Sequence, residues 1–77
     1  MEKYTLRTAR DRAGLTLAKA AAEMGINVDT LANYEKGETY PNVPVIRKML
    51  ALYGVEFNQL IFLGIDYDLI VNRKEEP

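Results

Sequence analysis

The sequence predicts an all-α domain of five short helices around one core, with a short extended C-terminal tail open to β pairing. Three observations carry this. Apolar residues recur at spacings of three and four as far as Ile61. Gly14, Gly25, Gly37 and Gly54 each stand just past an apolar-periodic run, where helices end. A pattern of period two begins only after Gly64.

The first helix is read over Thr5 to Ala13, with Leu6, Ala9 and Ala13 on one face. Thr16 stands at an N-cap position, and Leu17 to Met24 forms a second helix with Leu17, Ala20, Ala21 and Met24 inward. Asn27 caps the third, Val28 to Lys36, which buries Leu31 and Tyr34. A loop follows, and Pro41 disfavours helix at Tyr40. Asn42 caps the fourth helix, which runs to Tyr53 and tolerates Pro44 in its first turn. Its apolar face is Val45, Ile46, Met49, Leu50 and Tyr53. Asn58 is the cap expected for a short fifth helix containing Leu60 and Ile61. Ile65, Tyr67, Leu69 and Val71 then alternate with Asp66, Asp68, Ile70 and Asn72, the pattern of a half-buried strand. Residues 1–64 therefore read as one domain and residues 65–77 as a tail.

Composition narrows the chemistry. A chain of 77 residues supports one modest core. It has no cysteine and no histidine, so disulfides, the usual zinc sites and His-based triads are excluded. So small a helical chain offers little depth for a pocket that retunes a carboxylate. The expectation is a non-enzyme with no cofactor and no metal. Charged residues crowd Met1 to Arg12, and no apolar run is long enough to cross a bilayer, so a cytoplasmic protein without membrane contact is expected. The net charge is −1, with ten basic and eleven acidic residues, but the charges are unevenly placed. Residues 3 to 19 hold Lys3, Arg7, Arg10, Arg12 and Lys19 against Asp11 alone.

The informative stretch is Leu17 to Lys36, two short helices joined by a tight turn. Where two helices cross at about 90–120° through a short turn, the crossing point must be small and the turn must accept a positive φ. Ala21, fifth residue of the first helix of the pair, meets the first need, and Gly25 meets the second. Ala20, Met24, Ile26, Leu31 and Tyr34 seal the crossing.

On these residues Leu6 to Leu63 resembles the phage-repressor helix-turn-helix domains (Cro/cI-like, XRE-type). Arg10, Gly14-Leu15, Glu35-Lys36-Gly37, Pro41 and Tyr53-Gly54-Val55 stand in the family's order. The resemblance implies a lambda-repressor-like fold and a DNA-binding transcriptional regulator of prokaryotic or phage origin, a repressor bound to double-stranded DNA. Its third helix would enter the major groove while its second crosses the backbone. The outward residues there are Asn27, Val28, Asp29, Ala32 and Asn33. Asn33 suits adenine, Val28 a thymine methyl and Asp29 a cytosine amino group, whereas Asn27 reads first as a cap. Backbone contacts are expected from Thr16, Leu17, Lys19, Lys36, Thr39, Asn42 and Arg10, with plain solvation as the competing role for Lys19 and Lys36. The resemblance also implies an Arg10–Glu35 pair tying the first helix to the third, with Ala21, Gly25, Leu31 and Gly37 as structural positions. Tyr34, Tyr40, Tyr53, Phe57 and Phe62 read as packing, with Tyr40 over the loop.

Family members generally bind as two-fold dimers. Phe57, Ile61, Phe62 and the segment from Ile65 to Val71 are the candidate dimer contacts, with the tail lying on its own core as the alternative. No inducer-binding domain is evident in the sequence, so no small-molecule effector is expected. The chain departs from the family pattern at Leu17, where glutamine is usual, and at Ala20, where leucine is usual. Its third helix also offers no Arg, Lys or Gln among the base-facing positions. These departures argue against strong, high-specificity binding and not against the fold. Asp29 in the third helix and the missing glutamine favour the alternative, a protein-interaction module on the same fold (antirepressor, antitoxin or regulatory partner). The basic N-terminal third and the intact turn favour DNA.

Overall fold

The computed structural model describes residues 2–62. In chain order they form β1 (Tyr4–Thr5), α1 (Leu6–Arg12), α2 (Leu17–Met24), α3 (Val28–Lys36), α4 (Val43–Tyr53), a single 3₁₀ turn (Phe57–Gln59) and β2 (Leu60–Ile61). The boundary placed at residue 64 and the extended segment read over 65–71 lie outside the described residues.

Each helix begins where a short polar side chain satisfies a free backbone amide. The side chains of Thr5, Thr16, Asn27 and Asn42 accept from the N–H groups of Thr8, Lys19, Asp29 and Val45. Helices α2, α3 and α4 end in the same chain reversal. The N–H two residues past the helix returns to a carbonyl five residues back: Ile26 to Ala21 at 3.0 Å and Glu38 to Asn33 at 2.9 Å. That reversal needs a left-handed residue, which Gly25 (φ 73°) and Gly37 (φ 82°) supply. Lys48, on α4, adds a cap from a distance: its Nζ donates to the Met24 carbonyl at 3.2 Å, a cation at the negative end of α2.

The core consists of Leu6, Ala9, Ala20, Ala21, Met24, Leu31, Met49, Tyr53, Val55 and Leu60. Its centre is the α2–α3 crossing, against which α1 and α4 pack. Ala21 is 2 % exposed and Leu31 fully buried, so a larger residue at 21 would separate the helices.

Two expectations are corrected. The fifth helix is not formed: residues 57–59 make one 3₁₀ turn, and Leu60–Ile61 pairs in parallel with Tyr4–Thr5. Tyr4 and Thr5, just ahead of α1, carry backbone groups that no helix satisfies, and the partner strand satisfies them while burying Leu60 to 7 % exposure. The cap position of the turn is Glu56 rather than Asn58, and the Glu56 N–H donates to Gln59 Oε1 at 3.0 Å. The first helix is also shorter than expected. Thr5 is its cap, and Ala13, read as inward, is exposed at its C-terminal end.

Candidate nucleic-acid interface

The two helices that carry the site match their expected bounds, and the front of α3 stands free of the core. Asn27 and Asp29 are exposed, Val28 is 38 % exposed, and Ala32 and Asn33 are half-buried. The Asn27 side chain is engaged, since its Oδ1 accepts from the Asp29 N–H at 2.7 Å. The Asn33 amide makes no hydrogen bond among the described residues. Val28, Ala32 and Lys36 lie four apart on one stripe, and Asp29 and Asn33 lie beside it; Leu31 faces the core.

The helix is held by an ion pair. Arg10 Nε donates to Glu35 Oε2 at 2.7 Å and Nη2 to Glu35 Oε1 at 3.1 Å, a two-pronged contact across 25 residues. Nη1 donates to the Leu15 carbonyl at 3.0 Å and lies 3.7 Å from Asp11 Oδ1. Both side chains are 10 % exposed, and the hydrogen bonds to Glu35 outweigh desolvation and hold the Arg10 pKa above its ordinary value. Arg10 was expected to fasten the helices and also to touch phosphate. With all three guanidinium nitrogens engaged and only 8 % of the residue exposed, its geometry is that of a fastener.

The remaining expected backbone contacts lie on the surface in two groups. Thr16, half-buried Leu17 and exposed Lys19 lead α2; Thr16 Oγ1 already accepts from the Lys19 N–H at 3.1 Å. Lys19 Nζ sits 3.9 Å from Glu23 Oε2, an exposed pair of little energetic weight. Lys36, Thr39 and Asn42 run from the end of α3 to the start of α4, all exposed. The Asn42 side chain caps α4, accepting from the Val45 N–H at 3.0 Å.

Cations differ in how freely they face solvent. Arg12 lies over the Tyr4 ring, 4.3 Å from its centroid, and Lys48 is tied to Met24. Lys3, Lys36 and Arg47 form no ion pair among the described residues. Arg7 lies only loosely against Asp11, at 3.9 Å with three quarters of its side chain exposed. Arg7 was not singled out from the sequence as a site residue. The available signal was its place one turn before Arg10, on the side of α1 that meets α3.

The aromatic residues divide. Tyr53 is buried, whereas Tyr40 and Phe57, read as packing, are about half exposed. Tyr40 and Phe57 flank Phe62, with ring centroids 5.0 and 5.9 Å from it, and Ile61 nearby in the chain is also exposed. The Tyr53 hydroxyl has no hydrogen-bond partner among the described residues; burial and the nearby Glu35 carboxylate push its pKa up to about 12, against the opposing pull of Arg10.

No metal-holding cluster occurs among the described residues, and none of their helices is long and apolar enough to cross a membrane. Residues 5–59 match the family model described as a helix-turn-helix domain. The chain is 35% identical over 71 residues to the HTH-type transcriptional regulator ImmR of Bacillus subtilis, covering 92% of this chain and 52% of that protein. It is 30% identical over 56 residues to an HTH-type transcriptional regulatory protein of Pyrobaculum aerophilum, covering 73% of this chain and 22% of that one. The chain thus spans about half of one relative's length and about a fifth of the other's. No solved structure matches it. The capped helix pair, the small crossing residue and the matched residues agree: this chain belongs to the helix-turn-helix domain family.

Proposed function

We propose that the chain is a sequence-specific regulator of transcription, a repressor, that lays α3 in the major groove of double-stranded DNA. The observation that carries this reading is the free front of α3, a helix tied to α1 at its far end by Arg10 and Glu35. The dimensions suit the task, because a single helix is what the major groove admits. Asn33 reads a base edge, Val28 packs on a thymine methyl, and Asp29 accepts from cytosine, with Ala32 and Asn27 beside them. Thr16, Leu17 and Lys19 on one side, and Lys36, Thr39 and Asn42 on the other, hold the two strands. The names of the two relatives support a regulatory role. The protein works in the cytoplasm without cofactor or effector.

A lone copy presents few base-reading groups, so the working unit is a homodimer. The half-exposed cluster of Tyr40, Phe57, Ile61 and Phe62 supports this, as do the apolar residues alternating from Ile65 to Val71. The test is selection of bound duplexes from a random pool, repeated with Asn33→Ala. A changed preference at one base position, with the fold intact, is the expected result; an unchanged preference at full affinity removes Asn33 from the site.

A second reading keeps the fold but gives the α3 face to a protein partner. The observation favouring it is that this face carries exposed Asp29 and no cation before Lys36. Duplex affinity separates the two readings. A regulator's affinity falls steeply with salt as counterions are released, and an interaction module shows no such binding.

A further inference from the structure

The stretch between α3 and α4 is hydrogen-bonded at its two ends and not in between. The Glu38 N–H donates to the Asn33 carbonyl at 2.9 Å, and the Asn42 side chain caps α4. Thr39 and Tyr40 make no hydrogen bond among the described residues, and both are exposed. A stretch without hydrogen bonds takes its place from what its side chains touch. Two contacts serve here. Pro41 is buried, and the Tyr40 ring lies against Phe62, with centroids 5.0 Å apart and planes tilted by 49°. That separation is within the range where aromatic pairs attract. Phe62 is a firm support: it packs against the core and directly follows the strand Leu60–Ile61, which is paired with Tyr4–Thr5.

We infer that Tyr40 is a positioning residue: set against Phe62, it holds the turn from Glu38 to Asn42 in the shape that meets a nucleic-acid strand. The inference rests on the reading of the chain as a DNA-binding protein, in which Thr39 and Asn42 meet that strand. It adds two residues, Tyr40 and Phe62, that touch no nucleic acid and act through the turn between α3 and α4. A turn ordered in advance spares the cost of ordering it on the duplex. An aromatic pair of this kind biases the turn by roughly two- to tenfold, which sets the expected loss of affinity when the pair is broken. Thr39 and Asn42 are uncharged. The loss should therefore leave the salt dependence of binding where it was, because that dependence counts the cations placed on phosphates.

The experiment is a titration of a duplex of about ten base pairs with the full chain at several salt concentrations. One turn of duplex seats one copy, so pairing between copies does not enter the affinity. Tyr40→Ala and Phe62→Leu should each weaken binding by roughly two- to tenfold, with the slope of log affinity against log salt unchanged. The double variant should lose no more than the weaker-binding single variant, because both break the same contact. Tyr40→Phe keeps the ring and should bind within about twofold of the unmodified chain. Circular dichroism melts check that the variants fold; Tyr40 is 49 % exposed, so Tyr40→Ala should melt close to the unmodified chain. Should Phe62→Leu not fold, Tyr40→Ala against Tyr40→Phe decides. Full affinity in Tyr40→Ala overturns the assignment. Losses that add in the double variant also overturn it, by putting Tyr40 itself on the duplex. An equal loss in Tyr40→Phe overturns it in favour of a contact made by the hydroxyl, and a slope lowered by about 0.9 does so by showing that a cation has left the strand. If the unmodified chain binds no duplex at any salt, the regulatory reading fails and this assignment with it, a result distinct from binding that Tyr40→Ala leaves intact.

Discussion

Replacing Glu35 by alanine tests what holds α3 in place. In the folded chain the carboxylate accepts from Arg10 at 2.7 and 3.1 Å, and both side chains are 10 % exposed. Removing one member of a buried pair costs about 3–5 kcal/mol, because the other charge stays desolvated. Two features lower that figure here. Arg10 keeps the Leu15 carbonyl at 3.0 Å, and Asp11 at 3.7 Å offers a substitute carboxylate. The expected loss is therefore about 2–3 kcal/mol. A chain of this length has a total stability of about 4–12 kcal/mol, so the variant sits near the edge of folding. At about 4–8 °C per kcal/mol for a domain of this size, Tm should drop by roughly 10–20 °C. Thermal and urea unfolding followed by far-ultraviolet circular dichroism measure both. A loss under about 0.5 kcal/mol would refute the claim that this pair fastens α1 to α3.

Other consequences follow from single positions. Ala21→Leu forces a larger side chain into a 2 %-exposed crossing, and chemical denaturation should show a loss of at least about 1–3 kcal/mol, against about 1 kcal/mol for Ala21→Gly. Asn42→Ala leaves the Val45 N–H without its cap and should cost about 1 kcal/mol by the same assay. Tyr53 is favoured as the neutral phenol in the folded state, with its pKa pushed up to about 12 against an ordinary 10.0. Its contribution is therefore complete below about pH 10 and fades as pH rises towards 12, on the order of 2 kcal/mol in all. Tyr53→Phe should abolish that alkaline loss. It should cost little at neutral pH, since the hydroxyl has no partner among the described residues to lose. A neutral-pH loss above about 1 kcal/mol would mean that the hydroxyl is hydrogen-bonded in the folded chain.

How far the sequence could be read depended on the range of the interaction that decided each element. The bounds of α2 and α3 match because Thr16, Asn27, Gly25 and Gly37 act on the backbone within a few residues. The Arg10–Glu35 pair was reached through family resemblance; no local pattern links residues 25 apart. The fifth helix failed for the opposite reason. Phe57, Leu60 and Ile61 carry helical spacing, but Leu60 and Ile61 obey Tyr4 and Thr5, residues more than fifty positions earlier. A strand of two residues is too short to display a period of its own. Lys48 capping Met24 is likewise visible only once α4 is laid beside α2. The place of Arg7 beside Leu17, Ala32 and Lys36 depends on three helices at once, so nothing in the sequence beyond its turn on α1 marked it.

The ion pair fastens α3 and lies among Thr5, Arg7, Leu17, Ala32 and Lys36, and one double variant separates its fastening role from a direct contact with DNA. Arg10→Met with Glu35→Leu replaces the pair by apolar side chains of comparable volume, an exchange that in other proteins is often neutral or stabilising. Most of the stability lost in Glu35→Ala should return. The exchange removes one positive and one negative charge together, so the net charge of the surrounding residues does not change. If Arg10 acts only by holding the helices, duplex affinity and its salt slope should return along with stability. If Arg10 itself reaches a phosphate, the fold recovers while the slope stays lower by about 0.9. With Nε, Nη1 and Nη2 all engaged inside the chain, the first outcome is the one its geometry requires. A stable double variant with the shallower slope would return Arg10 to the DNA surface.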